Sequence, residues 1–213
     1  MEPEVVIVDY GVGNLFNVQR AFGMLGVSSA ISKEKKEILA AKRLLLPGVG
    51  AFETGMGHLR EQGLVETLKQ YAASGRPMLG ICLGMQLLMS KSEENGAHDG
   101  LDLIPGKVIR FSEPDPVPGH FKIPHIGWNS LEPTQEWKGG ILENLEADPF
   151  LYFVHSYFVV PKDTKLRVAV TEYGKDTFCS VIRSKNIVGC QFHPERSGDY
   201  GLKILKNFIS GRI

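Results

Sequence analysis

Three times in its N-terminal half, the chain runs from a short apolar stretch through a glycine turn into a stretch with helical spacing of apolar residues. VVIVDYG (5–11) leads into NLFNVQRAFGMLG, where Leu15, Val18, Phe22 and Leu25 mark one helical stripe. RLLLPGVGAF repeats the order: Leu44 to Leu46 form the apolar run, Pro47 to Gly50 the turn, and HLREQGLVETLKQYA an amphipathic helix that Gly75 stops. RPMLGICLGMQLLM does so again. Strands that are apolar on both sides must be covered on both sides, and alternation with helices builds a parallel sheet. The pattern predicts an α/β fold with a central, mostly parallel sheet flanked by helices.

The C-terminal half reads differently. LYFVHSYFVV, RVAVTEY, TFCSVIR and IVGCQFHP are β-rich and separated by short polar or glycine turns, which predicts antiparallel strands added to the same sheet. A single mixed sheet is the economical arrangement, closed by a helix over GLKILKNFISG. EPDPVPGHFKIP (113–124) holds four prolines, too many for regular structure, and reads as an exposed loop. Neither half supplies a self-contained pattern, so residues 1–213 are expected to form one domain.

Composition narrows the partners. Lys+Arg and Asp+Glu are equal at 24 each, so no net field favours nucleic acid or an anionic membrane. Cys82, Cys179 and Cys190 are odd in number and lack metal-binding or disulfide spacing. The acidic start MEPEVVIVDYG has no signal-peptide pattern, and no apolar run approaches the roughly 20 residues of a membrane span. A soluble, cytoplasmic chain is expected.

Gly80-Ile81-Cys82-Leu83-Gly84 has the form of a nucleophile elbow with cysteine at its centre. A turn that sharp strains the central residue and leaves no room for side chains on either flank. The helix beginning after Cys82 would turn its positive end toward the sulfur and favour a thiolate. Taken alone, the same five residues also describe a buried structural cysteine beside helix-packing glycines. In QFHPE, His193 and Glu195 are two apart, and Pro194 favours extended backbone, which would put both side chains on one side. A carboxylate there can fix the imidazole's tautomer while the other ring nitrogen faces the thiol. In isolation that motif equally describes a strand end with a surface acid. PGVGAF, at another strand end, offers N–H groups for an oxyanion, or simply a strand-to-helix turn; no Lys-Ser/Thr follows to make it a phosphate loop.

GICLGMQ, QFHPE and the PGVG turn, in this order and at these separations, resemble the motifs of the class I, triad-type glutamine amidotransferases. DYGVGN, PGVGAF, GICLGMQLL, PHIGWN and YFVHSY resemble, within that family, the glutaminase subunits of imidazole glycerol phosphate synthase, and the similarity runs from about Asp9 to the final helix. The resemblance implies a flavodoxin-like fold and a triad of Cys82 as nucleophile, His193 as base and Glu195 as its orienter. It implies an oxyanion hole at Val49, Gly50 and Leu83, and contacts to glutamine from Gly48, Gln86, His155, Ser156 and Tyr157. His155, in a β-rich run, is expected to be structural rather than a second base. No metal or cofactor is called for. The implied partner is a (β/α)-barrel cyclase subunit that receives ammonia, and Val12, Gly13, Asn14, Trp128, Tyr152 and Arg196 would meet it. Arg196 stands where the family often has lysine and Val12 where proline is common. Other amidotransferases, a γ-glutamyl hydrolase, and a flavodoxin-like binding module whose Cys82 is merely core are the competing readings.

Overall fold

The computed structural model describes residues 2–113, 121–146 and 148–213. Most of the proline-rich stretch expected as an exposed loop, residues 114–120, lies outside the described residues. The first half alternates as the sequence predicts: β1 (Val5–Val8), α1 (Leu15–Met24), β2 (Ser29–Ser32), α2 (Lys35–Ala40), β3 (Leu44–Leu46), α3 (Phe52–Glu61), α4 (Val65–Ala73), β4 (Met78–Ile81) and α5 (Leu83–Leu87). There follow β5 (Met89–Ser92), β6 (His98–Asp99), β7 (Ile104–Arg110), β8 (His125–Ser130), β9 (Glu132–Pro133), β10 (Phe150–His155) and β11 (Tyr157–Pro161). The chain ends with β12 (Arg167–Tyr173), β13 (Asp176–Ser184), β14 (Ile187–Cys190) and α6 (Gly198–Ile209).

The main sheet has the order β2-β1-β3-β4-β14-β13-β12-β9. Its strands are parallel from β2 through β14 and antiparallel from there to β9. Alternation explains why the parallel strands read as unbroken apolar runs. Val6, Val8, Leu44, Leu46 and Met78 pack on one face with residues of α2, α3, α4 and α5. Val5, Ile7, Leu45, Leu79 and Ile81 pack on the other with α1 and α6. Both faces are core, so neither set tolerates a polar residue.

Two sequence expectations need correction. The β-rich second half does not join a single sheet: β8 and β10 form a separate antiparallel pair, and β11-β7-β5-β6 a third sheet. LYFVHSYFVV is broken at Ser156, so β10 and β11 bond to different partners. The helix expected over HLREQGLVETLKQYA is two helices. Gly63, at φ +64°, ends α3, and Leu64 N–H donates to the Leu59 carbonyl at 2.8 Å, the helix-terminating bond of a glycine C-cap. The helix after Cys82 is only five residues long, because the chain turns into β5.

Candidate active site

β3, β4 and β14 are neighbours and run parallel, so their C-terminal ends meet at one edge of the sheet, where open α/β sheets bind ligands. The Pro47–Gly50 turn follows β3, Cys82 follows β4, and the His193 turn follows β14. Sequence separations of more than a hundred residues thereby collapse into one cleft.

Cys82 has φ 52° and ψ −110°, outside the comfortable regions for a side-chain-bearing residue. Backbone packing holds it there. A Cβ on Gly84 would collide with the Leu46 carbonyl, and one on Gly80 would sit 2.9 Å from Gly84 C and O. Cys82 N–H donates to the Cys190 carbonyl at 2.8 Å, which locks the elbow to β14. Cys82 is 5% exposed, enough to line a cleft of about 410 Å³.

His193 is buried and its Nδ1 lies 2.7 Å from Glu195 Oε1. The pair forms differently from the sequence expectation: Pro194–Arg196 is a 3₁₀ turn, with Pro194 at its first position, rather than extended strand. Nε2 makes no ordinary hydrogen bond to a described residue, yet Cys82 is close enough to govern the ring's protonation. Burial pulls the imidazole pKa down, but Cys82 and Glu195 outweigh it and raise it to about 10. Catalytic hydrogen bonds that are long before substrate binds are common. Ser197 ties this turn to the cleft wall: its hydroxyl donates to the His193 carbonyl at 2.6 Å and accepts from Tyr152 N–H at 3.0 Å.

The other expected residues fall into two groups. Val49, Gly50, Leu83, Gln86, His155, Ser156, Tyr157 and Arg196 line the same cleft as Cys82, and Gly48 sits just behind it against Leu83. Trp128, Tyr152 and Arg196 form a ladder beside it. Trp128 and Tyr152 face each other across β8 and β10 with ring centroids 6.1 Å apart, and the Arg196 guanidinium lies 4.1 Å over the Tyr152 ring. Gly13 approaches the back of Gly48, while Val12 and Asn14 flank it in the loop before α1, which Asn14 caps.

Two residues were not singled out from sequence. Gln191 is fully buried and bridges Gln86 to Cys82, its Oε1 accepting from Gln86 Nε2 at 3.2 Å and its Nε2 lying 3.6 Å from Cys82 Sγ. Its place in QFHPE, two residues before His193, was the available signal. Glu94, in a polar stretch with no motif, lines the cleft and accepts from Phe52 N–H at 2.7 Å. It gives the cleft a carboxylate. Among the described residues, no group of side chains could hold a metal ion.

His155 is a poor base. Its Nδ1 lies 2.9 Å from the Tyr157 carbonyl, and burial lowers its pKa to about 3. His125, stacked between Phe153 and Tyr173, is lowered by burial to about 4. Both depressed values mean that an unfolded chain binds these protons more readily, so the stabilisation is complete above about pH 6.5 and is lost as pH falls toward 4. His193 contributes almost no slope below pH 6, being protonated in both states. Urea unfolding should therefore show a loss of roughly 2 kcal/mol per histidine between pH 6 and 4.5. A flat profile for wild type, or one that His125→Phe fails to flatten, would contradict this account.

A glutamine amidotransferase class-I family model matches residues 6–211. The chain belongs to the class-I glutamine amidotransferases. Among curated relatives of this amidotransferase, imidazole glycerol phosphate synthase subunit HisH 1 of Legionella pneumophila (strain Paris) is 48% identical over 214 residues, covering 96% of this chain and 98% of the relative. Subunit HisH of Methanosarcina barkeri (strain Fusaro / DSM 804) is 50% identical over 206 residues, covering 96% and 97%. Among solved structures, the amidotransferase fold matches PurLQS from Thermotoga maritima with a TM-score of 0.69 at 20% identity, covering 99% of each chain. A glutamine amidotransferase from Thermotoga maritima gives 0.61 at 16%, covering 99% of this chain and 85% of that one.

Proposed function

We propose that this amidotransferase is the glutaminase subunit of an imidazole glycerol phosphate synthase. It acts in the cytoplasm as one domain and passes ammonia to a (β/α)-barrel cyclase subunit in a heterodimer. The product side of that reaction is imidazole glycerol phosphate and aminoimidazole carboxamide ribonucleotide, in histidine biosynthesis. Near-full-length identity to synthase subunits supports the assignment. The observation that supports the chemistry is that Cys82 lines one cleft with the Val49–Gly50 turn while the buried His193, paired with Glu195, interacts with Cys82.

In this reading the Cys82 sulfur attacks the side-chain amide carbon of glutamine, and the resulting oxyanion is held by N–H groups of Leu83 and of the Val49–Gly50 turn. His193, charged and steadied by Glu195, gives its proton to the departing nitrogen, and ammonia leaves. A γ-glutamyl thioester remains on Cys82. Water then attacks it, losing a proton to His193, and glutamate departs with the thiol restored. Gln86 and the 155–157 backbone border the space for the amino-acid end of glutamine, and Glu94 suits its ammonium group. Val12, Gly13, Asn14, Trp128, Tyr152 and Arg196 are the proposed cyclase contacts. Trp128, half-exposed, has the character of an interface anchor.

Gly50, at φ +104° with open space beside it, lets the turn adopt more than one peptide orientation. Glutaminase activity of the isolated chain is therefore expected to be low, and to rise on the order of 10²-fold, the worth of one oxyanion donor, when the cyclase and its ribonucleotide ligand bind. Co-purification with the cyclase and a glutaminase assay with and without ligand test this. Full turnover by the chain alone would count against the coupling, and failure to bind the cyclase against the assignment.

A further inference from the structure

Tyr10 stands two residues beyond the end of β1 and is fully buried, yet it is not packed there simply as an apolar ring. Its hydroxyl donates to the Pro47 carbonyl at 2.6 Å, on the first peptide of the oxyanion turn. Burial, with the charge of Cys82 adding to it, pushes its ionisation well above the usual range, so it stays a donor. The same hydroxyl closes the space behind Gly48. A Cβ there would collide with it and would lie 2.9 Å from Leu83 Cβ and 3.2 Å from Gly84 N. The two ends of the turn thus differ: the Pro47–Gly48 end is clamped between Tyr10 and the elbow, and Gly50 has nothing within 4 Å of where its Cβ would be.

We propose that Tyr10 is a positioning residue for catalysis, pinning the Pro47–Gly48 peptide so that only the turn beyond Gly48 can reorient and present an N–H to the developing oxyanion. The inference rests on the glutaminase reading of the cleft. Tyr10 also couples this turn to the loop that follows it. A Cβ at Gly13 would come 3.5 Å from both Cα and N of Gly48, so the backbone of the 11–14 loop bears directly on the clamped end. A contact made by that loop reaches the turn through Tyr10 and Gly13 without passing through the sheet.

Tyr71 supplies an internal control. It too is fully buried, with its hydroxyl donating to a proline carbonyl, that of Pro77 at 3.1 Å, but it projects from α4 toward the residue before β4 and does not line the cleft. In complex with the cyclase and its ligand, Tyr10→Phe should lower glutaminase kcat about 10-fold, a fraction of the loss caused by deleting an oxyanion donor, with KM for glutamine within about twofold. Alkylation of Cys82 by iodoacetamide proceeds through no oxyanion, so its rate should not change. Tyr71→Phe should match Tyr10→Phe in lost thermal stability and leave kcat unaltered. The proposal is overturned by an unchanged kcat in Tyr10→Phe, by a parallel fall in alkylation rate, or by an equal kcat loss in Tyr71→Phe. An inactive wild-type complex would sink the glutaminase reading and this inference with it, an outcome distinct from the other three.

Discussion

Cys82→Ala is expected to abolish glutamine-dependent synthesis by the assembled synthase while added ammonia still supports it. The reason lies in the proposed division of labour, in which, with the sulfur gone, no thioester forms, and neither His193 nor the oxyanion turn has an intermediate to act on. Residues that act as one unit lose nearly everything when the nucleophile goes, so the fall should be on the order of 10⁴-fold or more. The substitution is sterically mild. Alanine fits the volume of cysteine, and the strained angles at position 82 are imposed by Gly80, Gly84 and the bond to Cys190, all of which remain. Thermal unfolding of the variant should stay close to wild type. Ammonia-dependent synthesis, measured on the complex, separates chemistry from architecture: loss of both activities would mean that Cys82 holds the fold together and that the triad is misassigned.

Gly48→Ala should be the next most damaging single methyl group. The residue does not need glycine's backbone freedom; it needs its lack of a side chain. The new Cβ would meet the Tyr10 hydroxyl and Leu83 Cβ, and neither can withdraw, since Tyr10 is fully buried and bonded to Pro47 while Leu83 belongs to the elbow. The turn must therefore move away from Cys82. Displacing an oxyanion donor costs on the order of 10²-fold in kcat, and overpacking of this kind about 1–3 kcal/mol in stability. Steady-state kinetics and urea unfolding of the variant check the two effects together. A kcat equal to wild type would show that the oxyanion is held elsewhere.

Much of this was legible in the sequence because it is written locally. The elbow needs two glycines around one residue, the proposed base its carboxylate two positions away, and the proposed oxyanion turn glycines at a strand end; each fits in five residues. The central strands were legible for the same reason, being apolar on both faces. What escaped was set by distant partners. Nothing in LYFVHSYFVV says that Ser156 splits it between two sheets, because the deciding bonds run to β8 and β7, and β5 and β6 hide in a polar stretch. Gln191 and Glu94 escaped likewise: a buried amide and a half-buried acid acquire meaning only from what folds against them. Tyr10 lay inside a quoted motif, but its bond to Pro47 spans 37 residues.

The order of strands in the main sheet also bears on synthesis of the chain. β14 lies near the middle, between β4 and β13, although it is the last strand in the sequence. A chain emerging from the ribosome can pair β1, β2, β3 and β4 and form the cysteine elbow long before His193 exists. Until β14 slots in, the elbow lacks the Cys190 carbonyl that anchors its N–H, as well as the imidazole. A partly synthesised chain thus holds Cys82 at its elbow without the imidazole that the proposed chemistry requires.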